Sequence, residues 1–144
     1  MAGNGGATGG GGDAGGPLRG IRVLDLTAVV LGPFATQTLG DWGAEVIKVE
    51  PPAGDLVRAS GAWKRRGMAS VFLGVNRNKR SLCLDLKTPG GAAVLRRLIP
   101  RVDALVTNVR PAGMARLGFG WDACAALNPR LVYAAATGFG AWSR

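Results

Sequence analysis

Histidine is absent from the chain. The commonest general base at neutral pH and the commonest metal ligand are therefore both missing. What remains for chemistry is carboxylates, cations and backbone dipoles. Lysine and arginine number 18 against 9 acidic residues, a net charge of +9. Such an excess favours polyanionic partners: nucleic acid, an anionic membrane surface or phosphorylated small molecules. Lys64, Arg65 and Arg66 form a basic knot, which reads either as a solvated loop or as a phosphate contact, since arginine forks onto two oxygens. Asn108 and Arg110 fall where an apolar run ends before Pro111; they are polar groups for a crevice or simple turn formers. Residues 27–33 join an apolar run to a glycine-proline turn. Their backbone N–H groups, with the helix start behind them, could receive an anionic or carbonyl oxygen; a plain connection is the alternative. Cys83 and Cys124 are far apart and lack a CxxC companion. They read as buried thiols of a reducing, cytoplasmic compartment, and their spacing speaks against zinc or a disulfide.

These groups need a scaffold, and residues 21–50 define it. Ile21, Val23, Leu24 and Leu26 form a short β-prone run. Gly32-Pro33 breaks it, with proline suited to the first position of a helix. Residues 34–39 supply a turn or two of helix, and Gly40 and Gly43 can end it. Val46, Ile47 and Val49 make a second strand. About twenty residues separate the two runs, enough for a parallel crossover and too many for a tight hairpin. The unit is βαβ, and such units place ligands outside the carboxyl ends of their strands.

The rest of the chain continues the pattern. Residues 1–16 are low in complexity and rich in glycine, a leader unable to offset its ordering entropy; Pro17 or Leu18 opens the fold. A long loop follows the second strand, and residues 71–75 form a short strand or a helical turn. Residues 76–80 carry three cations in a turn. Leu82, Leu84 and Leu86 alternate with Cys83, Asp85 and Lys87, which is strand periodicity. Thr88-Pro89 starts a helix with Val94, Leu95, Leu98 and Ile99 on its apolar side, Arg96 and Arg97 outward, and Pro100 as its stop. Residues 103–108 form the next strand. Residues 114–117 and 121–127 are short helices, and residues 131–136 a further strand running into a glycine turn at residues 137–140. Alternating strands and helices predict an α/β, Rossmann-like fold, a mostly parallel sheet with flanking helices. No apolar run approaches the roughly 18 residues of a membrane helix. The basic residues are scattered through loops without aromatic interleaving or a recognition helix, which argues against nucleic acid. A helix is expected after the last strand, so the chain reads as truncated.

Five stretches, RVLDLT, GPFATQTLGDWGAEVIKVEPP with GD following, NRNKRSLCLDLKTPGG, TNVRPAGMARLGFGW and NPRLVYAAATGFG, resemble the class III CoA-transferases, the CaiB/BaiF group. That group includes formyl-CoA transferase and an acyl-CoA racemase branch. The blocks run in the family's order from Leu18 to Gly140. Family members are much longer, so the chain resembles an N-terminal portion of the family's large domain: a leader over 1–17 and a CoA-binding segment over 18–144. The resemblance implies a reaction in which an aspartate carboxylate attacks an acyl-CoA thioester and the CoA passes to a carboxylic acid acceptor. The family's nucleophile lies downstream of the glycine turn. Asp25, Asp41, Asp55, Asp85, Asp103 and Asp122 do not align with it and read as structural or surface carboxylates, so the chain holds no catalytic residue of its own.

What the resemblance does carry over is CoA-binding surface. Leu84 to Lys87, with Asp85 and Leu86 between them, match nucleotide-contacting positions, as do Asn108, Val109, Arg110 and Arg116. Val30 and Leu31 match backbone at the thioester end. Two departures stand out. Pro51 follows Glu50 where the family often has arginine, leaving Arg58 or the 64–66 knot to substitute. Val109 replaces a common aromatic. CoA or acyl-CoA is implied as substrate, no metal is implied, and an interlocked homodimer is implied for the full-length form. The alternatives are a non-catalytic CoA- or nucleotide-binding module and the acyl-CoA racemase branch of the same family, whose histidine-aspartate pair the resemblance also places downstream.

Overall fold

The computed structural model describes residues 15–138 and 140. The leader over residues 1–14, Phe139 of the glycine turn and residues 141–144 lie outside the described residues. A parallel sheet of five strands runs in the order β3-β2-β1-β4-β5. The strands are β1 (Arg22–Leu26), β2 (Glu45–Glu50), β3 (Lys79–Cys83), β4 (Ala104–Thr107) and β5 (Val132–Ala135). The chain winds outward from β1 through β2 to β3, returns to the other side of β1 as β4, and continues to β5. The order therefore reverses between β1 and β4, where Leu26 pairs in register with Thr107.

Helix α1 (Leu31–Asp41) connects β1 to β2, and α2 (Ser70–Gly74) precedes β3. Helix α3 (Pro89–Leu98) connects β3 to β4, while α4 (Pro111–Arg116) and α5 (Trp121–Leu127) connect β4 to β5. On one sheet face Leu24, Leu26, Val49 and Leu105 pack with Leu95, Met114 and Phe119 into the larger core. On the α1 face the apolar cluster is smaller, with Val23, Ala44 and Val46 at its centre and Leu18 and Leu39 against it. The remainder of that face is polar. Asp25, Thr36, Gln37 and Lys48 are all buried there.

Several expectations shift. Helix α1 is longer than two turns and begins at Leu31, so Pro33 is its third residue. An N–H in that first turn has no intrahelical acceptor in any case. Gly32 is needed for space: a Cβ there would come within 2.5 Å of Thr27. Gly43, at φ +99°, takes the left-handed conformation after the helix. The 71–75 stretch is a helical turn rather than a strand, helix α2 spanning Ser70–Gly74. Lys79 and Arg80 belong to β3 and not to the turn before it.

The larger correction concerns Leu82, Leu84 and Leu86, because β3 ends at Cys83. Leu84 N–H still donates to Glu50 O at 2.8 Å. Asp85 Oδ1 then accepts from Lys87 N–H at 3.0 Å, and Thr88 Oγ1 from Gly91 N–H at 3.1 Å. Those local bonds turn the chain straight into α3, as short polar side chains do when they outcompete a ladder. Leu82, Leu84 and Leu86 all pack against the larger core, the side that the alternation assigns them, but only Leu82 does so from the strand. Thr88 is the helix cap, as its position before Pro89 predicts. Val94 lies outward at 38% exposure, its place on the buried side taken by Ala92. Cys124 is buried but Cys83 is exposed, so the expectation of two buried thiols holds for one.

Candidate functional site

A cavity of about 180 Å³ opens beyond the carboxyl ends of the strands, on the larger-core side. Its walls come from β1 (Leu26), from β2 and the residue after it (Val49, Pro51), from the segment after β3 (Leu84, Asp85, Leu86, Lys87), from Val109 after β4, and from Met114 and Leu117. This is the sheet's switch point, where doubly wound folds leave a crevice between diverging connections. Gly91 brings α3 against the Leu84–Lys87 wall: a Cβ there would meet Asp85 O at 2.0 Å. Lys87, a wall residue, is exposed; Arg110 before α4 and Arg116 in its last turn are exposed too, but neither is part of the wall. Among the described residues these three side chains make no hydrogen bond or ion pair, so their charge is available to an anion.

The structure thus brings Leu84, Asp85, Leu86, Lys87 and Val109 around one cavity. Asn108 is adjacent but differently employed. Its Oδ1 accepts from Ala28 N–H at 3.0 Å and its Nδ2 donates to Ala28 O at 2.8 Å. Its amide clamps the β1–α1 loop to the end of β4. Val30 and Leu31, two and three residues further on, are exposed at 44% and 78%, and neither lines the cavity. Arg58 does not supply the cation missing at Pro51. It forks onto Glu50 at 2.7 and 2.6 Å and stacks 3.8 Å from the Phe72 ring centroid. Lys64, Arg65 and Arg66 are exposed and are not part of the cavity wall. Both departures, Pro51 and Val109, are cavity-wall positions, so this wall is less cationic and less aromatic than the resemblance implies.

Beneath the β1–α1 loop lies a charged layer that strand periodicity alone did not identify. Asp25, fully buried, accepts from Thr27 N–H and Oγ1, from Thr36 Oγ1 at 2.7 Å and from Lys79 Nζ at 2.9 Å. Lys79 also donates to Pro33 O and Asn76 Oδ1. Burial pulls the Lys79 ammonium below its usual range, against the attraction of Asp25. Lys48 Nζ donates to Thr27 O at 2.8 Å and sits 3.0 Å from Asp55 Oδ2, an oxygen with no directed hydrogen bond of its own. Glu50 accepts from Asp55 N–H at 3.0 Å. Its burial raises the carboxyl pKa, but the bonds from Arg58 and from that N–H outweigh burial and hold it below the ordinary glutamate value. The sequence signal was a single charged residue inside each of two buried strands, Asp25 in β1 and Lys48 in β2. No group of three or more histidine, cysteine or acidic residues is placed to hold a metal ion among the described residues.

The family profile of CoA-transferase family III matches residues 18–144. The chain belongs to CoA-transferase family III. Among its relatives, succinyl-CoA–D-citramalate CoA-transferase of Chloroflexus aurantiacus is 46% identical over 86% of this chain and 31% of its own length. Formyl-CoA:oxalate CoA-transferase of Streptomyces avermitilis is 46% identical over 85% of this chain and 30% of its own. A CaiB/BaiF family protein from Brucella suis has a crystal structure that superposes with a TM-score of 0.84 at 37% identity, covering 90% of this chain and 35% of that one. The chain spans about a third of the length of these family III relatives. The resemblance read from the five blocks is thereby confirmed, as is the α/β parallel fold.

Proposed function

We propose that this family III chain holds the CoA portion of an acyl-CoA for transfer of the CoA to a carboxylic acid. The single observation that carries the reading is the cavity at the switch point, walled by Leu84 to Lys87 and Val109 and rimmed by Lys87. CoA is polyanionic, and unpaired cations over an apolar cavity suit its phosphates and adenine. Arg110 and Arg116, exposed at the two ends of the helix that lends Met114 to the wall, are further cations for the phosphates in this reading. Asn108 acts through Ala28, holding the β1–α1 loop in place, and Val30 and Leu31 present backbone to the thioester end. The nucleophile of this reading is an aspartate in the part of the family fold that these residues do not span. Asp25 and Asp55 are buried and ion-paired with Lys79 and Lys48, which supports a structural role for them. The reading includes an interlocked homodimer for the whole protein. Isothermal titration with CoA tests it: saturable binding is expected, weakened by salt because the contacts are ionic. Absence of binding at millimolar CoA would overturn it.

A second reading, a module that binds CoA without turning it over, is favoured by the same engaged aspartates. Incubating the purified chain with acetyl-CoA and a dicarboxylic acid separates the two. CoA exchange into the acid would defeat the binding-only reading.

A further inference from the structure

Val29 is β-branched and yet sits at φ +74°, in the left-handed region that such residues avoid. Something must hold it there. Three consecutive residues of this loop are each fixed by a side chain from a different segment. Lys48 of β2 binds Thr27 O, and Asn108 after β4 binds both backbone groups of Ala28. Asp55 accepts from Val29 N–H at 3.1 Å through Oδ1. The same oxygen accepts from Val57 N–H at 3.2 Å, capping the 3₁₀ turn Leu56–Ala59. Asp55 is itself locked: it is buried, its N–H is bound by Glu50, and its Oδ2 faces Lys48.

We propose that Asp55 is a positioning residue, which holds Val29 in its left-handed conformation and so aims the Val30 and Leu31 backbone at the acyl end of a bound thioester. The inference rests on the reading of Val30 and Leu31 as backbone at the thioester end. A carboxylate is required for a stated reason. It presents acceptors in two directions, toward Val29 and Val57 on one side and toward Lys48 on the other. An asparagine turns an NH₂ toward one of these donors whichever way it is placed. The fork of the loop is therefore sensitive to a substitution that changes almost no volume.

The test uses Asp55→Asn, Val29→Pro and Val29→Gly in the full chain, with acetyl-CoA and 3′-phosphoadenosine 5′-diphosphate as paired probes. The second probe keeps the nucleotide and lacks the pantetheine arm. Val29 is 45% exposed, so Val29→Pro does not disturb the core. Proline cannot reach positive φ and has no N–H to offer Asp55. Glycine adopts the left-handed conformation without strain. Asp55→Asn and Val29→Pro are expected to weaken acetyl-CoA at least about tenfold while nucleotide affinity stays within about twofold. Val29→Gly is expected to keep both within about threefold. In the unliganded protein, amide exchange at Ala28 and Val29 is expected to accelerate about tenfold in Asp55→Asn.

A parallel fall in both affinities would mean a general structural role and would overturn the proposal. So would acetyl-CoA binding to Val29→Pro at wild-type strength, or unchanged amide exchange in Asp55→Asn. If the wild-type chain binds neither probe, the CoA reading falls. The exchange arm then still decides whether Asp55 holds the loop.

Discussion

Replacing Asp25 by alanine tests the idea that a charged layer, rather than an apolar one, supports the β1–α1 loop. Asp25 is fully buried and its carboxylate accepts from Thr27, Thr36 and Lys79. Alanine removes all of these acceptors. The Thr36 hydroxyl keeps alternatives in Gly32 O and Pro33 O at 3.2 and 3.1 Å, but Thr27 N–H does not. The Lys79 ammonium keeps only the neutral oxygens of Pro33 and Asn76, and its side chain is 2% exposed. Leaving one charge of a buried pair uncompensated costs about 3–5 kcal/mol. Against a total stability of about 5–15 kcal/mol, that is about a fifth of the whole or more. With a urea dependence of about 1–3 kcal/mol per molar, the unfolding midpoint of Asp25→Ala should fall by about 2 M. The double variant Asp25→Leu/Lys79→Met removes both charges and should recover most of the loss, since apolar replacement of a buried pair is often neutral. Urea unfolding followed by circular dichroism reads both. An Asp25→Ala midpoint within about 0.3 M of wild type, or a double variant no better than the single one, would refute the reasoning.

Three further outcomes follow from the same geometry. Lys87→Ala should weaken CoA binding about tenfold and flatten its salt dependence without moving the unfolding midpoint, because the side chain is exposed and unpaired; titration calorimetry at two salt concentrations checks it. Leu95→Ala, in a fully buried position of the larger core, should cost about 2–5 kcal/mol by denaturant unfolding. Tyr133 donates to Phe119 O at 3.1 Å, and burial, with a smaller contribution from Cys124, pushes its phenol up to about 12 from 10.0. The unfolded chain therefore ionises first, and the contribution of Tyr133 is complete below its unfolded value and lost as pH rises through the folded one. Wild type should lose stability between about pH 10 and 12 relative to Tyr133→Phe, by about 2 kcal/mol, measured as the difference between their unfolding curves.

Much of the site was legible because it is local. Gly32-Pro33, Thr88-Pro89 and Pro111 mark where strands give way to helices, and the last two of these signals sit just after the wall residues Lys87 and Val109. Leu84 to Lys87 and Val109 were named from their blocks, and the fold gathers them. The loop supports were not legible, because they join partners far apart in the chain. Asn108 reads as a turn former or a ligand contact until its amide is seen on Ala28, 80 residues away. Arg58 reads as a free cation until Glu50 and Phe72 claim it. The three-leucine alternation misled because period two continues in the sequence after the ladder stops. Asp85 and Thr88, not the leucines, decide where β3 ends.

Local grammar alone determined the succession of parallel strands and helices, the Thr88 cap, the family and the segments that ring the cavity. Those follow from side-chain shape, backbone preference and short-range spacing, which one stretch of chain carries by itself. Only the tertiary structure decided which charges pair. Asp25 and Lys48 are direct neighbours across β1 and β2, yet Lys79 arrives from β3 to take Asp25 and Lys48 turns to Asp55. The physical reason is that burial makes a charge's free energy depend on whichever partners the fold delivers within about 3 Å, and that distance is set by packing rather than by position in the chain.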